Sequence, residues 1–139
     1  MIKTKIVVCF LILGVLLFTA DSFAGRGIAT SLGDSYPALD LLYPVSENID
    51  LAGKTTLQFR WRQVDEARTD HYEFKLYKGY QMLGPALILK QDISRDNCPF
   101  ELPAENFEIN QVYTWFVRQV YLDGSKNDWA HSSFKITKK

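Results

Sequence analysis

Apolar residues recur at every second position through five separate stretches of the chain. Leu57, Phe59 and Trp61 alternate with Gln58, Arg60 and Arg62. Tyr72, Phe74 and Leu76 alternate with Glu73 and Lys75, and Cys98, Phe100 and Leu102 with Pro99 and Glu101. Tyr113, Trp115 and Val117 are interleaved with Thr114, Phe116 and Arg118, and Phe134 and Ile136 with Lys135 and Thr137. A period of two is the signature of a strand with one buried face, and a slip of one residue would turn every apolar member outward. Turn-forming residues separate the stretches: Ala52-Gly53-Lys54, Lys78-Gly79, Ser94 to Asn97, and Asp123-Gly124-Ser125. Ala86 to Ile93 is a further apolar run, either a strand or a short irregular piece. Helical periodicity is not sustained anywhere, and Val64 to Asp70 is polar enough for a loop or a single turn.

About seven short strands in some hundred residues predict two antiparallel sheets packed face to face. One sheet alone would leave its apolar face wet, at a cost of about 1.5–3 kcal/mol for each large side chain. The predicted core centres on Trp61, Tyr113 and Trp115.

The segment before these strands reads as an export signal. Lys3 and Lys5 precede fifteen uncharged residues, Ile6 to Ala20, and Ser22-Phe23-Ala24 sets small residues for cleavage after Ala24. The uncharged run falls short of the roughly twenty residues of a transmembrane helix, although the same segment left uncleaved would anchor the chain. Residues 25–37, rich in Gly and Ser, read as a flexible leader, and the ordered domain is expected over residues 38–139. The location is thus extracytoplasmic (periplasm, cell surface or secreted), with no membrane insertion after cleavage. The 115 residues that remain carry fourteen basic and fifteen acidic side chains, so no field of one sign attracts nucleic acid. Only Cys98 survives cleavage, which excludes an intradomain disulfide. Its inward phase suits a core thiol, the alternative being a thiol that pairs with another chain.

The order of these motifs resembles the fibronectin type III domain over residues 38–139. Pro44 stands near the end of the first strand. Phe59-Arg60-Trp61 looks like the second strand, with Trp61 at the core tryptophan, and His71 to Tyr77 looks like the third. Leu102-Pro103 followed by Val112 to Val117 looks like the E–F corner and strand F. Gly124, Ser125 and Trp129 resemble the turn and tryptophan before the last strand. The resemblance implies an all-β, seven-stranded sandwich, with the third strand beside strand F and Tyr113 as the tyrosine-corner residue. Another immunoglobulin-like strand order would share this patterning.

Candidate chemistry is sparse. His71 has Asp65, Glu66 and Asp70 nearby in sequence, but no nucleophile accompanies them, and His131 stands alone. Two His and one Cys, scattered along the chain, make no zinc pattern, and the acidic residues form no calcium loop, so neither metal nor cofactor is expected. Leu51 to Lys54 lacks the first glycine of a phosphate loop and reads as a turn. The surplus is aromatic. Strand phase leaves Tyr77, Phe116 and Tyr121 off the core face, and Tyr77 and Phe116 would share an exposed surface with Lys75 and Arg118. Tyr80 would extend that surface. An apolar patch rimmed by polar groups suggests a contact site. Tyr77, Tyr80, Phe116 and Arg118 are the candidate binding residues, for another protein or, with Trp129 added, for a polysaccharide. The function expected is that of an exported non-catalytic module mediating protein–protein interaction or assembly at the cell envelope or outside the cell.

Overall fold

A computed structural model describes residues 36–80 and 84–139. The expected signal, its cleavage site and most of the leader lie outside these residues. Eight strands form: β1 Leu41–Tyr43, β2 Asn48–Asp50, β3 Thr56–Trp61, β4 Thr69–Lys78, β5 Leu87–Ser94, β6 Phe100–Pro103, β7 Val112–Tyr121 and β8 Ala130–Lys138. They make two sheets, of order β1-β3-β6 and β2-β8-β7-β4-β5. All neighbours run antiparallel except β2 and β8, which are parallel. Among the described residues no helix is long and apolar enough to cross a membrane.

The eighth strand comes from a division of the first. Pro44 has no N–H to give a ladder, and Ser46 sits at φ +48°, so the chain leaves one sheet at Tyr43 and joins the other at Asn48. Two long-range bonds hold the crossing. The Trp115 indole N–H donates to the Pro44 carbonyl at 2.9 Å, and the Ser46 N–H donates to Ser132 Oγ at 3.1 Å. The run from Ala86 resolves into a 3-10 turn at Gly84–Ala86 followed by the strand β5, whose register against β4 shifts at Ile88. Val64 to Asp70 contains a single 3-10 turn at Glu66–Arg68, and β4 already begins at Thr69.

The alternating apolar residues meet between the sheets. Phe59 is fully buried and touches five other rings, edge-on to Phe74 at 5.1 Å, Trp115 at 5.2 Å and Phe134 at 5.9 Å. Edge-to-face pairs contribute about 0.5–1.5 kcal/mol each beyond the area they bury. Trp61, Tyr113 and Trp115 are all buried, as their phase requires. The Tyr113 hydroxyl accepts the Glu108 backbone N–H at 2.8 Å, five residues upstream, which is the tyrosine-corner bond. Cys98 lies just before β6, half-buried against this core, with its thiol 3.9 Å from the Trp61 carbonyl.

Two aromatic placements differ from the sequence expectation. Tyr121 is buried at one end of the sandwich rather than turned out with Tyr77. It lies under Tyr36, ring centres 4.5 Å apart, and the Arg68 guanidinium donates to the Tyr36 hydroxyl at 3.0 Å. Ordered packing therefore already includes Tyr36, a residue expected in the leader. Beside it, Asn127 ties Pro37 to β7, accepting the Gln119 N–H at 2.6 Å and donating to the Pro37 carbonyl at 3.2 Å.

Candidate contact surface

The outer face of the five-stranded sheet is built from residues in antiphase to the core. β4 supplies His71, Glu73, Lys75 and Tyr77. The register sets Arg118 beside Glu73, Phe116 beside Lys75 and Thr114 beside Tyr77, and β8 places His131 beside Phe116. Trp129 reaches this face from the residue before β8.

These side chains interlock. Tyr77 meets Phe116 edge-on at 5.5 Å, His131 stacks on Phe116 at 5.1 Å, and Trp129 meets it edge-on at 6.3 Å. Phe116 is consequently only 9% exposed. The expected open contact at Phe116 is therefore corrected: three neighbouring rings cover it, and Tyr77 itself is half-buried. Trp129 in turn is held by two cations, Lys75 Nζ at 4.3 Å and the Arg118 guanidinium carbon at 4.4 Å from its ring centre. Cation–π contacts of this kind are worth about 0.5–1 kcal/mol at exposed sites and more where water is excluded.

Glu73 anchors the charged half of the surface. Its carboxylate accepts the Arg118 Nε–H on one oxygen and the Lys126 ammonium, at 2.8 Å, on the other. Burial pushes the carboxyl up, but the hydrogen bonds and positive charges of Arg118 and Lys126 outweigh it and bring the pKa down from 4.5 to about 2. Arg118 is thus fixed between Glu73 and Trp129. Tyr80 stands apart in the following turn and is 72% exposed.

His71 Nδ1 lies 2.8 Å from Asp70 Oδ2, its sole hydrogen-bond partner among the described residues. Asp65 pairs with Arg68 instead. His71, Glu73 and Asp92 bring one possible metal-ligand atom each within 4.8 Å of one another, a cluster formed across β4 and β5 that sequence spacing does not reveal. Both Glu73 oxygens already serve cations, and that positive surrounding opposes a further one. The turn at Leu51 to Lys54 forms as expected, with the Lys54 N–H on the Leu51 carbonyl at 2.9 Å.

Glu73, Lys126 and His131 were not among the binding residues expected from sequence. The first and last could have been found by setting β4 and β8 in register against β7, since both share the phase of residues already assigned outward. Lys126 and Trp129 come from a connecting segment with no periodic signal.

No protein-family model matches the chain, and no curated protein matches it. Among solved structures it is similar to the fibronectin(III)-like modules of Clostridium thermocellum CbhA, with 14% identity, over 72% of this chain and 96% of that one, at a TM-score of 0.45. On its own geometry, with β4 beside β7, Trp61 in the core and a tyrosine corner at Tyr113, the domain is a fibronectin type III-like β-sandwich.

Proposed function

We propose that the chain is an exported, non-catalytic module that binds another protein at the cell envelope or outside the cell. The observation that carries this reading is the pinned Trp129, held by Lys75 and Arg118 beside Phe116. Trp, Tyr and Arg dominate the energetics of protein interfaces. Side chains already held in place lose less freedom when a partner docks, so more of the contact energy appears as affinity. The test is affinity capture from an envelope fraction with the wild-type protein and with Trp129→Ala and Arg118→Ala as bait. A partner retained by wild type and lost by both variants supports the reading, and equal capture by all three refutes it.

A second reading, polysaccharide binding, draws on Tyr80, whose ring is open to solvent. Trp129 serves it poorly, because two cations already occupy its ring. Glycan-array binding that disappears in Tyr80→Ala and persists in Trp129→Ala would favour this alternative.

A further inference from the structure

Strand β5 ends the five-stranded sheet, and among the described residues no strand lies along its other side. Eight residues long and mostly exposed, it offers a row of backbone donors and acceptors to any strand that can fit it. Its outward side chains, Lys90 and Asp92, face like charges within the sheet: Lys90 stands opposite Lys75, and Asp92 opposite Glu73. Lys90 opposite Lys75 is an unfavourable pair, since like charges directly across a sheet destabilise it. Lys75 is engaged on Trp129, Arg118 and Lys126 neutralise Glu73, and the His71 ring lies within 4.8 Å of an Asp92 carboxylate oxygen without pairing with it. Among the described residues neither Lys90 nor Asp92 has an ion-pair partner.

We infer that β5 is a self-association edge, on which two copies of the chain pair antiparallel about Gln91. A two-fold axis perpendicular to the sheet keeps the outer faces of both copies on one side, so each residue must oppose one of its own phase. A register centred on Lys90 sets lysine against lysine, and one centred on Asp92 sets aspartate against aspartate. The register centred on Gln91 sets Lys90 of each copy against Asp92 of the other. It also brings Leu89 opposite Ile93 on the inner face, an apolar pair. Lys90 and Asp92, without ion-pair partners in one molecule, are complementary between two, and the two five-stranded sheets become one continuous sheet. This goes beyond the partner-binding reading above, through residues separate from Trp129 and its cations.

The test is sedimentation equilibrium on the protein produced from the full chain. Lys90→Asp and Asp92→Lys each create two like-charge pairs across the axis and should weaken the wild-type dimer about tenfold or more. An equimolar mixture of the two variants restores opposite charges at both contacts, as does the double variant K90D/D92K, and both should associate like wild type. Circular dichroism checks that each variant is folded, and if one single variant is unfolded the other carries the comparison with wild type and the double variant. A wild-type protein that stays monomeric, or a dimer indifferent to the single reversals, overturns the inference. Dimerisation lost with partner capture intact, or the reverse, shows which of the two proposals has failed.

Discussion

The Trp115 indole N–H reaches across 71 residues of sequence to the Pro44 carbonyl, at 2.9 Å. That bond joins the core of one sheet to the point where the first strand leaves the other. Pro44 ends β1 because it lacks a donor, and its own carbonyl is satisfied by the core tryptophan. Replacing Trp115 with Phe removes the donor and part of a fully buried ring. The expected loss is about 2–3 kcal/mol, combining an unpaired carbonyl with a small cavity. Urea unfolding of wild type and Trp115→Phe measures it, and a difference below about 0.5 kcal/mol would show that the bond and the ring add little.

Phe116→Ala should behave as a core truncation although its residue lies on the outer face. The ring is enclosed by Tyr77, Trp129 and His131. Its loss is expected to cost about 2–4 kcal/mol of stability, somewhat under a fully internal Phe. An exposed surface ring would cost far less, so thermal unfolding distinguishes the two placements.

Glu73 makes the fold sensitive to acid. Its folded-state pKa is about 2, against 4.5 for an ordinary glutamate. A lowered value means the charged form stabilises the folded state. The contribution is complete above pH 4.5 and is lost as pH falls through about 2. Its size is up to about 3 kcal/mol. Glu73→Gln should flatten that part of the stability profile, and a mutant curve parallel to wild type between pH 5 and 2 would contradict the assignment.

Cys98 should react slowly with thiol reagents in the native state. Burial pushes its pKa up. Less of the reactive thiolate is present, and the sulfur is half-covered. Labelling with a disulfide reagent at pH 8 is expected to accelerate on adding denaturant. Rapid labelling of the folded protein, or a covalent dimer on a non-reducing gel, would favour the intermolecular alternative.

The strands with a clear period were legible because each buries one face against the same core. Phe59, Phe74 and Trp115 announce their strands and their inward direction by spacing alone. The division of the first strand was not legible: β1 and β2 have three residues each, too few to show a period. Nor was the cover over Phe116. Phase places that residue outward correctly, but what lies above it depends on Trp129 from a connecting loop and on His131 from a neighbouring strand. Gln119 illustrates the same limit. It continues the inward phase of β7 yet is polar, and it is buried because the Val64 carbonyl and the Thr69 hydroxyl accept from its amide. Those partners lie 55 and 50 residues away in sequence.

The parallel pairing of β2 with β8 carries a mechanical meaning. These strands lie near the two ends of the domain, joined side by side through Asn48 to Lys135, Ile49 to Ile136 and Asp50 to Lys138. Tension that drags the start of β2 away from the end of β8 slides one strand along the other. The cross-links of that seam are then strained together instead of opening one after another. A domain tethered at both ends is expected to resist stretching until the seam yields as a unit. In single-molecule pulling that is one abrupt rupture, whereas gradual lengthening at low force would show that the load passes elsewhere.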